Sequence, residues 1–372
     1  MSSMDEILRL VRPAVLDLTP LDLARTEEYG ARIRLDVNEN PYPPYPGTPA
    51  QQELNRYPER QPRPLLDAFA DFYGVPRECL LFTRDVDEAA DLLVRSFCVE
   101  GRDAILQTRP TVAIYPHVAR VQGVGVVEVP LLPSGFQLDP DGVLAMHAAN
   151  PQTKLLFLCS PNDPTSNLLE REDILRIATE LFGTAIIVVD HRFLDYSGAE
   201  SLATAIPAHP NIVVLRSMSA EYGLAGERFG IAIAHPEVID LLGRVLAFCP
   251  LSRNAIRALT QVMTLLGVLR SAVNIGKVLT ERTRVARVLA GSSAVVRVFP
   301  SDANFLFVQV RDASGLVDMM TQSGVKIADG STFPAAPDAV RISIGTPAEN
   351  NAMLAVLDQY AEERKPRGFG GR

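Results

Sequence analysis

Residues 215–231, LRSMSAEYGLAGERFGI, carry the hydroxyls of Ser217 and Ser219 and the guanidinium of Arg228. The apolar run 211–215 before them reads as a buried strand and the glycines after it as a turn, so Ser217, Ser219 and Arg228 converge on one loop. Such a loop suits an anion. His191 follows another apolar run, IIVVD, that ends at Asp190. An imidazole titrates near neutrality, so His191 reads either as an acid/base group or as a loop histidine facing solvent. Asp163 in SPNDPTSN, with Asp85 and Glu221, adds carboxylates that read either as proton-transfer groups or as turn and helix-start residues. Chemistry is favoured for Asp163, and a capping role for Asp85 and Glu221.

The remaining composition narrows the chemistry. Four cysteines and five histidines are scattered with neither CxxC nor HExxH, so buried thiols are expected and no metal site. A net charge of -8 disfavours nucleic acid or an anionic membrane as partner. With 47% hydrophobic and 22% charged residues, the chain has the composition of a soluble globular protein. It opens on no cationic apolar leader and contains no long apolar run, so a cytoplasmic location is expected.

The elements that must position these residues follow from periodicity. Residues 4–12 read as an amphipathic helix and residues 32–55, dense in proline, as an extended arm. A helix over 65–73 stops at Gly74, a strand covers 79–82, and TRDVD turns into a helix reaching 97. Apolar runs then recur at 103–107, 125–129, 154–159, 184–190 and 211–215. Continuous rather than alternating runs predict strands covered on both faces, hence a mostly parallel α/β sheet with ligands beyond the carboxyl ends of its strands. Residues 236–289 read as helical, with one long pattern after Asn254, and alternating strands and helices to 364 predict a smaller α+β domain. The expected division is an N-terminal helix and arm (1–55), a large α/β domain (56–250), a helical connection with the small domain (251–364) and a disordered tail (365–372).

The segments LDVNENPYPP, LNRYPERQPR, TRDVDEAADLL, FLCSPNDPTSN, IIVVD, the 215–231 loop, FPSDANFLF and VRISIGT resemble, in the same order, those of histidinol-phosphate aminotransferases. The likeness runs from about residue 4 to 360. It implies a fold-type I, pyridoxal-phosphate-dependent architecture: a large domain with a mostly parallel central sheet flanked by helices, and a smaller α+β domain. It also implies a homodimer with the site between domains and Tyr57 reaching the neighbouring subunit's phosphate site. In that pattern Ser217, Ser219, Arg228 and Tyr57 hold the cofactor phosphate, Asp190 keeps the pyridine nitrogen protonated, and Arg341 pairs a substrate carboxylate, with a domain-closing ion pair as the alternative for Arg341.

Other positions depart from the pattern. Ala220 stands where the Schiff-base lysine is expected, Asp163 replaces an asparagine and Phe193 a tyrosine on the phenolic oxygen, and Val112 replaces the ring that stacks on the cofactor. Asp85 replaces a glycine at the phosphate turn, Leu21 a tyrosine and Ala328 an arginine on the substrate side. Alanine supplies neither nucleophile nor base. The expectation is therefore a lysine-less homologue that does not transaminate and has lost pyridoxal phosphate, leaving no cofactor. It would be an acid/base enzyme of specialised metabolism, performing a lyase, cyclisation, condensation or isomerisation step. His191 and Asp163 would act on a carboxylate-bearing, amino-acid-derived small molecule. Two alternatives stand beside it. One is a non-catalytic homologue that binds a ligand or pairs with an active subunit. The other is an aminotransferase fold that binds pyridoxal phosphate or its amine form, pyridoxamine phosphate, non-covalently, with His191 moving the protons.

Overall fold

The computed structural model describes residues 3–20, 33, 35–45, 53–330 and 338–364. The expected tail (365–372) and Leu21 lie outside the described residues.

Seven strands form the larger sheet: β1 (Leu80–Thr83), β2 (Ala104–Arg109), β3 (Gly125–Pro130), β4 (Thr153–Cys159), β5 (Ile186–Asp190), β6 (Ile212–Ser217) and β7 (Gly230–Ile233). Their order is β1-β7-β6-β5-β4-β2-β3, parallel from β3 to β6, with β7 antiparallel to both β6 and β1. The fold class is the one expected. Strand β7 is an addition, because four apolar residues behind a glycine-rich turn carry too little pattern to separate strand from loop.

Helices cover both faces: α1 (Ser3–Leu8), α2 (Pro13–Leu16), α3 (Arg63–Tyr73), α4 (Asp85–Phe97), α5 (Ile114–Val121), α6 (Pro140–Ala149), α7 (Arg171–Glu180) and α8 (Pro236–Val245). Successive residues of β4 point to opposite sides: Leu156 and Leu158 pack with Phe69, Val143 and Ile177, and Leu155 and Phe157 pack with Leu93, Val118 and Leu242. This two-sided burial is the physical cause of the continuous apolar runs.

The helical stretch after Asn254 is two helices, α9 (Arg253–Val262) and α10 (Leu265–Ala290), which meet at 81°. The break comes from Thr264, whose hydroxyl accepts from the Gly267 N–H and starts a new helix. The smaller unit contains β8 (Val295–Val298), β9 (Phe305–Val310), α11 (Ala313–Gln322), β10 (Ala328–Asp329), β11 (Ala339–Ser343) and α12 (Pro347–Glu363). Its antiparallel sheet, ordered β10-β11-β9-β8, encloses Leu306, Val308, Leu316 and Leu354 with Val285 of α10. No single described helix is long and apolar enough to cross a membrane.

Candidate active site

Asp190 and Ser217 end the neighbouring parallel strands β5 and β6, with Leu215 the register partner of Asp190. Asp190 is fully buried and accepts from Tyr115 Oη at 2.7 Å. Arg192 turns back on the same carboxylate, with Nε at 2.8 Å and Nη2 at 2.6 Å from Oδ2. Burial pulls the Arg192 pKa down, but the adjacent Asp190 outweighs it and holds the guanidinium well above its ordinary value. The bond Asp190 offers to a cation is thus taken up by a neighbour two residues along the chain.

In the 215–231 loop Ser217, Ser219 and Arg228 form a cup, and the anion they meet belongs to the chain itself. Ser217 Oγ donates to Asp85 Oδ1 at 3.0 Å, Ser219 Oγ donates to Asp85 Oδ2 at 3.1 Å, and Arg228 Nη1 lies 2.7 Å from Oδ2. Asp85 is therefore more than the helix-start residue expected, although its Oδ1 also accepts from the Val86 N–H at 2.8 Å. Asp87 continues the pairing, 3.5 Å from Arg228 Nη2 and 3.7 Å from Arg192 Nη1. Asp190, Arg192, Asp87, Arg228 and Asp85 form one alternating series of charges.

Arg341 is engaged in the same manner. Its Nη1 pairs with Asp163 Oδ1, and its guanidinium lies 5.5 Å from the centre of the Phe305 ring, whose other neighbour is Phe193 at 5.2 Å. Asp163, expected as a catalytic acid or base, is the counter-ion of the arginine expected to hold substrate. Ala328 sits opposite Arg341 in the β10–β11 register. The Ala220 carbonyl accepts from Tyr196 Oη at 2.7 Å. Val112 lines a separate cavity of about 270 Å³ with Arg109, Arg120 and Glu128. Tyr57 is 49% exposed, meets Phe248 edge-on at 5.9 Å, and borders a cavity of about 420 Å³ with Glu39 and Arg253.

The structure does not bring His191 to this cleft. It is 2% exposed and lines a different cavity, of about 380 Å³, with Ser160, Arg171, Glu200 and Asp302. Burial, then the charges of Arg216 and Arg171, push its pKa down to about 3, so at neutral pH it holds no exchangeable positive charge to lend. Glu221, read as a cap, is buried and pairs with the equally buried Arg216, while its Oε1 accepts from the Asp195 N–H at 2.7 Å. Burial raises the Glu221 pKa well above the usual carboxylate range, although Arg216 opposes it. Arg192, Asp87 and Arg216 were missed in the sequence. The only signal available for Arg192 was its place next to His191 and Asp190.

In type, the cleft fits the ionic ends of pyridoxal phosphate: a cup for an anion and a carboxylate for a protonated ring nitrogen. Asp85 and Arg192 occupy those two places here with groups of the same charge sign. The fit therefore requires both side chains to move aside.

Residues 32–357 match the family described as aminotransferase class I and II. The histidinol-phosphate aminotransferase of Stenotrophomonas maltophilia is 38% identical over 360 residues, covering 96% of this chain and 98% of that protein. The solved histidinol-phosphate aminotransferase of Clostridium acetobutylicum superposes with a TM-score of 0.76 at 19% identity, over 84% of this chain and 92% of that one. That of Sinorhizobium meliloti, solved in complex with pyridoxal-5'-phosphate, gives 0.75 at 22% identity, over 83% and 84%. These two likenesses concern the fold. The end-to-end identity to a protein named for amino-group transfer overturns two expectations, that of an acid/base enzyme outside the transaminases and that of a site without cofactor. Replacements at single positions alter local contacts, whereas the identity runs through 360 residues of the chain around them. The chain belongs to the class I and II aminotransferase family.

Proposed function

We propose that the protein is an aminotransferase of the histidinol-phosphate type that holds pyridoxal phosphate, or its amine form, by non-covalent contacts alone. The observation that carries this reading is the 38% identity over 96% of the chain, with Asp190, Ser217, Ser219, Arg228 and Arg341 all present. Non-covalent holding follows from Ala220, which stands where the resemblance expects the anchoring lysine and has no amine. When bound, the cofactor ring supplies an electron sink for chemistry at an amine-bearing carbon. The chain's own residues bind and orient. Asp190 would hold the proton on the ring nitrogen once Arg192 releases it, the cup would take the phosphate once Asp85 leaves, and Arg341 would pair an anionic substrate group in place of Asp163. Asp163, then free, is the carboxylate nearest Arg341 to accept a proton. A homodimer is part of this reading, with Tyr57 of one subunit extending toward the cup of the other.

The test is a spectroscopic titration of purified protein with pyridoxal phosphate and, separately, with pyridoxamine phosphate. A band well above the protein's own absorbance, retained through gel filtration but removable by dialysis after borohydride treatment, is expected. Amino transfer from histidinol phosphate to an oxo acid should accompany it. Absence of both band and transfer removes the reading.

A further inference from the structure

We infer that Asp85 is a built-in anion that decides which ligand the 215–231 cup accepts, so that an external phosphate group enters only by displacing this carboxylate. Both Asp85 oxygens are saturated: Oδ1 takes Ser217 Oγ at 3.0 Å and the Val86 N–H at 2.8 Å, and Oδ2 takes Ser219 Oγ at 3.1 Å and Arg228 Nη1 at 2.7 Å. A phosphate at this place would use the same two hydroxyls and the same guanidinium. Two like charges compete for these donors, because Asp85 is buried at 7% exposure even though the Arg228 side chain is 52% exposed.

The backbone holds the carboxylate in place. Asp85 has φ of +71°, a left-handed conformation that side chains other than those of Asn and Asp rarely tolerate. Its peptide is pressed against β7, where a Cβ on Gly230 would stand 2.3 Å from the Asp85 carbonyl carbon and 2.6 Å from the Val86 nitrogen. Asp85 therefore leaves the cup only by side-chain rotation, which strips four bonds from the carboxylate and leaves Arg228 to find another anion. Asp87, 3.5 Å from Arg228, is the internal group available for that exchange. The same geometry makes glycine a well-tolerated replacement at position 85, because it relieves the positive φ while removing the charge.

The consequence for cofactor entry rests on the function proposed above, whereas the occupancy of the cup does not, and the experiment separates the two. Inorganic phosphate is titrated calorimetrically into the full chain as wild type, Asp85→Gly, Asp85→Asn and Asp85→Gly/Arg228→Gln, with thermal melts to establish folding. Asp85→Gly is expected to bind phosphate at least tenfold more tightly than wild type, Asp85→Asn to fall between, and the double variant to lose the gain. Equal affinity of wild type and both folded single variants would overturn the inference, as would a gain that survives Arg228→Gln. Pyridoxal phosphate is titrated in parallel. A phosphate gain with neither a cofactor band nor amino transfer in any variant leaves Asp85 in its assigned role and ends the aminotransferase reading. A wild-type band with no gain in Asp85→Gly does the reverse.

Discussion

Asp190 and Arg192 act as one charged unit, since the carboxylate is fully buried and its strongest partners are Arg192 and Tyr115. Removing one member of a buried pair leaves an uncompensated charge. Arg192→Ala should therefore cost about 3–5 kcal/mol in urea unfolding. A loss below about 1 kcal/mol would mean that the Tyr115 hydroxyl alone satisfies Asp190. His191 has the opposite economy: it is buried and neutral, with a folded pKa of about 3 against an ordinary 6.5. The unfolded chain takes up this proton at the ordinary value and the folded chain does not. The stability linked to His191 is thus fully present above pH 6.5 and is lost as the pH falls from there toward 3. The slope is up to about 1.4 kcal/mol per pH unit. Melting points of wild type and His191→Gln at neutral pH and at pH near 5 should diverge in that sense, the variant losing less on acidification.

Among the elements, β7 does most to shape the site, because it carries Gly230 against the peptide of Asp85. Gly230→Ala forces a methyl group into backbone atoms and should destabilise by about 1–3 kcal/mol, with faster amide exchange at the start of α4. An exchange pattern and melting point equal to wild type would show that the contact can relax. Strands β2 and β4 to β6 were legible as apolar runs because each is buried along nearly its whole length, whereas β3, half-buried at the sheet edge, was legible from its valines. Strand β7 was not, and neither was the break between α9 and α10, where Thr264 competes with a helical pattern that continues across it. Periodicity reports burial averaged over a turn or two and is blind to a single capping bond.

At the scale of the whole molecule, α10 leaves Leu265, Leu269 and Val273 exposed at 79%, 55% and 59%, spaced four residues apart on one stripe. The proposed homodimer would draw on that stripe and, separately, on the exposed Tyr57. Sedimentation is expected to give the mass of two chains, and Leu265→Asp with Leu269→Asp to reduce it to one. A single-chain mass for the wild type would remove the dimer and the role of Tyr57 in a neighbour's cup.

The sequence by itself determined the layered α/β architecture with its smaller α+β unit, the convergence of Ser217, Ser219 and Arg228 on an anion, and the presence of alanine at 220. These are local matters: strand burial is written in consecutive residues, and loop chemistry in a span of a dozen. Only the tertiary structure decided that the anion is Asp85, 132 residues before Ser217, that Arg341 is matched by Asp163 across 178 residues, and that His191 faces another cavity. Ion pairing depends on distance through space, which the fold sets by bringing strand ends together, and no spacing along the chain encodes it.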